Sequence, residues 1–582
     1  TAQETAEAAA ETAAAAVAAA EEAADAAREA AESAAMAGED EPAAAGGPVY
    51  GGKIVRVAEG DIDSGWNPHR TTTNLDNFNF LQYIYDYVLG YSGDNGAAKA
   101  ELAESWEIPD DVTYLFNFAP GRAVFQDGAP VDANAMQANM EFLRDDEEAT
   151  PSTKAGIANA ASFEAVDDVT WRMVNSEVVG PTLSKFYDQT GSGNLISPNA
   201  LETAHEHPVG AGPARPVEYR VGEYWLGEKW DGYWDNEHVY ADQLEVRIIP
   251  DANNAWAQFL DGEISYQPAA GVMTDELAAE LEADGFQVSR GLSLGWNAQW
   301  FNLNPAAEGF NMFRDPRLRW AIGLSVDRDV VNDLSEDGLG KPSVCNTSTE
   351  SWAIREGANY YDPPDLAKAA QLRDAAGFGD DNPVTGDFLT INNLSPRTGP
   401  AVFAQLQQAG WSGLNLLEGS LSFIFEVFAT GTDHVTSTMP WASPFDPDVV
   451  MGPSIDQGLR NWMHGSPEGG PGTGRASLAE NPNDQVLQDI AETEAYTVAA
   501  TKFARQEDRI EPYDKAFASA CDGNSWSDPD IQGHRWWYYW LQLSAGYGAQ
   551  GNLGGGFHIR PIDGFTSSSS GGHGYKGLWN NA

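Results

Sequence analysis

The sequence has few basic side chains and no long apolar run. Thirty-three lysines and arginines stand against 87 aspartates and glutamates, which gives a formal net charge of −54 at pH 7. Such a negative surface excludes unspecific binding to nucleic-acid phosphates and argues against docking on anionic lipid. No stretch reaches the roughly 20 apolar residues of a membrane-spanning helix. We therefore expect no nucleic-acid partner, and a membrane contact only through an N-terminal anchor.

The acidic excess also bears on the environment of the protein. Like charges repel one another, and salt screens this repulsion beyond a distance of about 8 Å at physiological ionic strength. Arginine outnumbers lysine in the small basic set. We interpret this balance as that of a halophilic host, the alternative being an ordinary acidic secreted protein.

The N-terminal segment is almost all alanine and glutamate. Residues 1–36 contain no proline or glycine, and their side chains favour helix. They lack the large apolar side chains that a core requires. We interpret residues 1–47 as a helical spacer and linker. The alternative is an Ala-rich coiled coil that assembles several copies into a surface or filament protein.

The most informative stretch is residues 102–131. We interpret it as a helix end, a break at Pro109, and a β-hairpin. Tyr114, Phe116 and Phe118 alternate with Thr113, Leu115 and Asn117, a period of two typical of a strand with one buried face. Gly121 and the pair Asp127-Gly128 supply turn residues. Residue patterns elsewhere predict a strand at residues 54–58 and helices at residues 81–89 and 365–377.

The order of these pieces resembles the peptide/nickel-type solute-binding proteins of ABC importers, solute-binding protein family 5. Asn134 departs from the family pattern, in which an acidic residue is usual. Further pieces follow in family order, at residues 61–68, 210–213, 233–234, 259–264, 302–304, 313–321, 326–328, 365–377 and 441–447. Each piece is a weak pattern alone, and their shared order over residues 50–530 carries the resemblance.

The resemblance implies an α/β protein with two lobes, of the periplasmic-binding-protein type II with an extra inserted domain. Lobe one would be assembled from residues 48–90, 205–315 and 536–582, and lobe two from residues 316–535. The inserted domain would fill residues 91–204. The lobes would close over a ligand by a Venus-flytrap hinge motion.

The resemblance also implies where the ligand binds. Loops from both lobes would line the cleft, which is the default place for a ligand. The candidate ligand-binding residues are Thr72, Asn74, Gln267, Trp300, Trp441, Ser443, Phe445 and Asp446. Trp66 and Trp296 are further tryptophans of interest, although core packing is the alternative for every one of these rings.

One departure from the family bears on the ligand. Peptide-binding members hold the ligand's α-ammonium with an aspartate three residues after the tryptophan that matches Trp441. Counting forward from Trp441 places Pro444 there, and counting back from Asp446-Pro447 places Ser443 there. Neither is acidic, so an oligosaccharide becomes an alternative to an oligopeptide.

Two cysteines remain, Cys345 and Cys521. They are too far apart for a metal motif, and no CxxC occurs. In an exported protein such a pair suggests one disulfide. Two buried free thiols are the alternative. His205-Glu206-His207 lacks a third ligand nearby, so no metal site and no cofactor are expected.

We expect no enzyme, because close carboxylate pairs arise by chance among 87 acidic residues. The expected function is capture of a small solute outside the cell or at its surface, or in the periplasm if the host has an outer membrane, and delivery to an ABC permease. A monomer is expected, unless residues 1–36 assemble it.

Overall fold

The structure is a computed structural model. It describes residues 50–58, 60–62, 64–71, 75–91, 96–187, 191–268, 275–284, 286–289, 296–303, 307, 309–338, 340–342, 345, 349, 351–358, 362–391, 396–419, 423, 427, 434–441, 446–447, 481–521, 538–542, 548–550, 553–554 and 579–580. The predicted spacer at residues 1–47 lies outside these residues. Contacts divide the chain between Pro48 and Val49.

The strands of the described residues are short. In chain order they are β1 (Lys53–Ala58), β2 (Leu89–Tyr91), β3 (Ala98–Ala100), β4 (Ser105–Asp110), β5 (Thr113–Asn117), β6 (Ala160–Ala165), β7 (Thr170–Asn175), β8 (Ala214–Arg220), β9 (Tyr224–Lys229), β10 (Gln243–Ile248), β11 (Tyr266–Pro268), β12 (Gln287–Ser289), β13 (Trp296–Phe301), β14 (Lys341–Pro342), β15 (Gly386–Ile391), β16 (Leu414–Gly419), β17 (Thr436–Trp441), β18 (Tyr538–Gln542), β19 (Gly548–Gln550), β20 (Leu553–Gly554) and β21 (Trp579–Asn580).

The α-helices of the same residues lie between these strands. They are α1 (Leu75–Ile84), α2 (Ala133–Asp145), α3 (Pro151–Lys154), α4 (Ala252–Leu260), α5 (Asp275–Ala283), α6 (Pro316–Leu324), α7 (Arg328–Glu336), α8 (Leu366–Ala375), α9 (Thr398–Gln408), α10 (Gln485–Ala500) and α11 (Ile510–Cys521). Short 3₁₀ turns occur at Gly180–Phe186, Asn236–His238, Met312–Arg314 and Glu507–Arg509.

The first sheet has seven strands in the order β12-β19-β11-β1-β10-β9-β8. β1 runs parallel to β10 and β11. Ile54 packs in one hydrophobic core with Leu244, whereas Val55 and Val57 pack in a second core. Successive side chains of a strand point to opposite faces, so β1 lies between two cores. The strand predicted at residues 54–58 is confirmed.

The second sheet has six strands in the order β14-β18-β13-β17-β15-β16. β13 lies between two antiparallel neighbours, β17 and β18. All six of its side chains are buried. Its apolar residues share one large core with α6, α9 and α11. The second sheet therefore has its own core, separate from the cores of the first.

A smaller antiparallel sheet, β4-β5-β7-β6, lies within the predicted inserted domain. Tyr114 and Phe116 on β5 are fully buried, which confirms the predicted strand with one buried face. β5 forms its hairpin with the preceding β4, and at the predicted turn Asp127-Gly128 there is an isolated bridge between Val124 and Pro130. The predicted helix end before it is wrong, because residues 105–110 form β4. Pro109 is tolerated there because β4 is an edge strand, whose outer side needs no backbone donor. We call residues 96–187 the inserted segment.

The acidic residues have local structural roles. Asp132, Asp251, Asp327, Asp365 and Asp484 each precede a helix and accept a hydrogen bond from a backbone N–H of its first turn. Short carboxylates suit this position and also interact favourably with the positive end of the helix dipole. Part of the acidic excess therefore stabilises helix starts.

The helix predicted at residues 81–89 ends earlier, at Ile84, and Leu89 begins β2. The carbonyl of Ile84 accepts a hydrogen bond from the backbone N–H of Gly212, 2.8 Å away. A Cβ at Gly212 would lie 2.7 Å from the carbonyl carbon of Ile84. The N–H of Gly212 thus takes the place of a further helical N–H at the carbonyl of Ile84. The local sequence does not indicate this contact with a distant segment.

The strand pairing bears on two predicted lobe boundaries. β13 was assigned to lobe one through residues 205–315, and β18 through residues 536–582. Both pair in the second sheet, where β13 lies beside β17 and β18. Sheet membership is decided by hydrogen bonds between distant segments, which local patterns do not show. The lobe boundaries stay predictions.

A buried histidine makes stability depend on pH. His69 is fully buried, and its Nε2–H donates to the carbonyl of Asn194 at 3.0 Å. Burial lowers the pKa of His69 from 6.5 to about 4. Between pH 6.5 and about 4, the His69 imidazole is therefore protonated in the unfolded chain and neutral in the folded chain.

We expect acid to destabilise the protein through His69. The contribution is fully present above pH 6.5 and is lost as pH falls toward about 4, by about 3 kcal/mol. In His69→Gln, the difference in urea-unfolding free energy between the two ends of this pH range should be smaller than in wild type by about that amount. His207→Gln, at an exposed histidine, is the control and should unfold like wild type at each pH. Equal slopes for wild type and His69→Gln would contradict the assignment.

Candidate functional site

Three of the predicted ligand residues, Gln267, Trp300 and Trp441, lie on strands of the two large sheets. Gln267 belongs to β11 of the first sheet, and Trp441 ends β17 of the second. The side chains of both lie outside the described residues. Thr72, Asn74, Ser443 and Phe445 lie entirely outside them. Trp300 and Asp446 are the predicted ligand residues whose side chains the structure describes.

Three tryptophans of interest, Trp66, Trp296 and Trp300, are packed in hydrophobic cores. Trp300 is 3% exposed and lies with Trp296 in the core of the second sheet. In the register of β13 and β17, Trp296 is opposite Trp441, and Trp300 is opposite Ser437. Trp66 packs edge-on against Phe80, with ring centroids 6.2 Å apart. Burial favours core packing for these rings, and ligand contact by Trp300 stays a prediction.

Asp446 lies in a buried ionic network. Arg509 donates to both its carboxylate oxygens, with distances of 2.6 and 2.7 Å, and the two side chains are each 1% exposed. The hydroxyl of Tyr513 donates to the same carboxylate at 2.9 Å. A buried carboxylate requires such partners. The negative charge predicted to meet a ligand is therefore already compensated inside the protein.

Arg509 also reaches the inserted segment. It donates to the carbonyl of Gly180 at 3.0 Å, and its guanidinium lies 5.4 Å from the ring centroid of Trp352. Sequence reasoning did not single out Arg509. It stands in an ordinary polar run, QEDRIEPY, and only the folded chain brings it to Asp446.

Gly180 has no room for a side chain at this junction. A Cβ there would lie 2.7 Å from the carbonyl oxygen of Phe503 and 2.9 Å from Nε of Arg509. Gly180→Ala should therefore lower the free energy of unfolding by about 1–3 kcal/mol. Gly379→Ala is the control, since its Cβ would meet only a side-chain oxygen of Asp374. Equal urea midpoints for both variants would refute the close packing.

The two cysteines are joined. Cys345 and Cys521 form a disulfide with their Cα atoms 5.8 Å apart. Both are fully buried in the core of the second sheet. The bond ties the chain after β14 to the last residue of α11.

Two cavities occur in the described part of the chain. The larger, about 670 Å³, is lined by Ser64, Arg70, Glu148, Glu202, Thr203, His205 and Glu206. The smaller, about 210 Å³, lies between Trp106 on the edge strand β4 and Arg505. Arg70 is already engaged by Asp146 and Glu148. The described residues that line the two cavities include none that the sequence assigned to the ligand.

A further group was missed by sequence reasoning. Ligand atoms of Asp235, Glu237 and His238 lie within 4.8 Å of one another. Nδ1 of His238 is 2.5 Å from a carboxylate oxygen of Asp235. Glu237 and His238 are exposed. Exposed clusters of this kind are common without an ion, so no metal site is assigned.

Known structures share this arrangement of two large sheets. The ABC transporter substrate-binding protein CtaP from Listeria monocytogenes matches with a TM-score of 0.70 at 19% identity, covering 92% of this chain and all of that one. The oligopeptide-binding protein AppA from Bacillus subtilis, in complex with a nonapeptide, matches with a TM-score of 0.66 at 18% identity, covering 92% and 99%. The fold is that of the two-lobe α/β solute-binding proteins.

Sequence comparison gives the family. The model of bacterial extracellular solute-binding proteins, family 5 Middle, matches residues 97–419. The chain belongs to this family. A glutathione-binding protein, GsiB of Salmonella paratyphi A, is 26% identical over 345 residues, which are 57% of this chain and 63% of that protein. The matched part thus spans less than two thirds of that relative.

Among the described residues, no helix is long and apolar enough to cross a membrane.

Proposed function

We propose that this protein is an extracellular receptor that captures a short peptide or a peptide-like solute between its two lobes and delivers it to an ABC permease. The ordered match to the family over residues 97–419 carries this proposal. The names of GsiB and AppA support a peptide class, since they specify glutathione and an oligopeptide. The protein makes and breaks no bond in this function.

The placement of the predicted wall residues supports a site between lobes. Gln267 comes from the first sheet, and Trp441 and Asp446 come from the end of β17 and the chain after it. A solute that touches both groups would favour the conformation in which they are close. A ligand shifts such an equilibrium only by binding one conformation more tightly.

The ligand's terminal ammonium should matter little. Ser443 and Pro444 occupy the positions of the usual anchoring carboxylate, and Asp446 is engaged by Arg509. A charge-assisted hydrogen bond is among the stronger polar contacts, and this chain offers no such carboxylate at either position. Acetylating the N-terminus of a bound peptide should therefore change its affinity by less than about threefold, well below the tenfold that 1.4 kcal/mol represents.

Calorimetric titration tests the proposal. The full chain is titrated with reduced glutathione, with alanine peptides of three to nine residues in free and acetylated forms, and with maltotriose and cellotriose. Saturable binding of a peptide, insensitive to acetylation, supports the proposal. Binding of a sugar alone would replace the peptide by an oligosaccharide. Failure of every probe in both low and molar salt would refute solute capture of these classes.

A further inference from the structure

The junction around Arg509 connects three parts of the chain that are far apart in sequence. Arg509 is the last residue of a 3₁₀ turn and directly precedes α11. Its guanidinium binds Asp446, five residues after the end of β17, and the carbonyl of Gly180 in the inserted segment. One buried cation therefore holds the second lobe and the inserted segment together.

The contacts that precede Arg509 show that the whole loop is docked on the inserted segment. The carbonyl of Thr501 accepts from the N–H of Gly180 at 2.8 Å. Ala504 is buried in the core of the inserted segment. Arg505 donates to the carbonyl of Ile108 at 2.8 Å, and Gln506 donates to the hydroxyl of Tyr187 at 3.2 Å. Residues 501–509 are thus held along their length.

The inserted segment is also bound to the first sheet. Nε2 of Gln126 donates to the carbonyls of Gly212 and Ala214, at 3.2 and 2.9 Å. Arg215 in turn donates to the carbonyl of Gln126 at 3.0 Å. Gly212 and Ala214 lead into β8. The inserted segment is therefore bound to the first sheet on one side and, through Gly180 and Arg509, to Asp446 on the other.

We propose that Arg509 is a positioning residue for solute capture: through its paired contacts to Asp446 and Gly180 it holds Asp446 in a fixed place relative to the inserted segment. The role rests on the proposed function, because Asp446 lies beside the predicted ligand wall. Binding sites whose parts are held in place before the ligand arrives lose less entropy on binding. The expected consequence is higher affinity without any contact between Arg509 and the solute.

Because the junction is buried, its contacts should be lost together. Arg509 and Asp446 are each 1% exposed, so separation of the pair would leave two charges without water. The aromatic rings of Trp352 and Tyr513 lie 5.4 and 5.0 Å from the guanidinium and leave little space for an alternative arrangement. Weakening Arg509 should therefore loosen both of its partners together.

Hydrogen–deuterium exchange of the full chain tests this without any ligand. In Arg509→Met, amide exchange should rise at least tenfold both in residues 436–446 and in residues 175–187. Arg319→Met is the matched control, because Arg319 is another 1% exposed arginine of the second lobe whose Nη1 donates to the carbonyl of Phe313. In Arg319→Met, both regions should stay within twofold of wild type. Tyr513→Phe is the milder variant if Arg509→Met does not fold, and it should raise exchange in residues 436–446 by a smaller factor.

The ligand arm measures affinity for reduced glutathione and tri-alanine. Arg509→Met should weaken binding of a probe at least tenfold, Arg509→Lys should restore part of it, and Arg319→Met should change it less than twofold. Exchange confined to residues 505–513, or the same exchange pattern in Arg319→Met, would overturn the positioning role, as would unchanged affinity in Arg509→Met. If wild type binds neither probe, solute capture of the peptide class is what fails, while the exchange result still decides whether the junction fixes Asp446.

Discussion

Reducing the bond between Cys345 and Cys521 should lower the free energy of unfolding by up to about 5 kcal/mol. The two cysteines are separated by 176 residues in sequence, so the bond closes a long loop of the unfolded chain. In the loop-entropy account, a longer loop leaves the unfolded state with fewer conformations, which stabilises the folded state. The loop includes β15, β16, β17 and α10, so most of the second lobe is affected.

Urea unfolding at constant salt, with and without a thiol reductant, measures this effect. Reduced wild type keeps both sulfur atoms in the core and loses only the covalent link. Cys345→Ala/Cys521→Ala also removes side-chain volume from a fully buried site, and should be less stable still. The variant should not respond to reductant. A thiol titration should first show two free thiols per reduced chain. If the urea midpoint is then unchanged, the disulfide has no stabilising role.

Breaking the ion pair of Arg509 and Asp446 should cost about 3–5 kcal/mol of folding stability. Arg509→Met leaves the Asp446 carboxylate, which is 1% exposed, without its cation, and the desolvation of an unpaired charge is the main loss. Asp446→Asn leaves the buried guanidinium of Arg509 without its anion. The double variant should lose less than the sum of the two single losses, because neither charge then remains unpaired.

Arg505→Met supplies the control for this cycle. Arg505 lies in the same loop, but its side chain is 40% exposed and its partner Asp111 is 65% exposed. An exposed pair contributes at most about 1 kcal/mol, and the hydrogen bond from Arg505 to the carbonyl of Ile108 about as much, so this variant should lose clearly less than Arg509→Met in urea unfolding. Additive losses in the double variant, within about 0.5 kcal/mol, would show that Arg509 and Asp446 do not stabilise each other.

Local elements were predictable where neighbouring residues decide them. The alternation around Tyr114 and Phe116 gave β5 correctly, and the apolar run at residues 54–58 gave β1. The helix predicted at residues 365–377 corresponds to α8. Errors arose where a distant segment intervened. Ile84 ends α1 because Gly212 takes up its carbonyl, and β4 replaces the predicted helix end because it pairs with β5.

The candidate site was less predictable than the fold. The sequence identified Asp446 through its place in a family motif, but nothing in the local sequence indicated that Arg509 would neutralise it. The two residues are 63 positions apart. Likewise, β13 lies in the second sheet because its edges bond to β17 and β18. Contacts of this range depend on the path of the whole chain.

By itself, the sequence determined the α/β class, the alternating strands and the acidic net charge, because each depends on residue types and on spacings within a few turns or strands. It determined the family through the order of its motifs along the chain. Tertiary structure alone decided which sheet takes β13, and which cation meets Asp446. It also decided that the inserted segment is bound to the second lobe at Gly180. The physical reason is that hydrogen bonds and ion pairs gain strength from burial, and burial is set by which distant segments pack together.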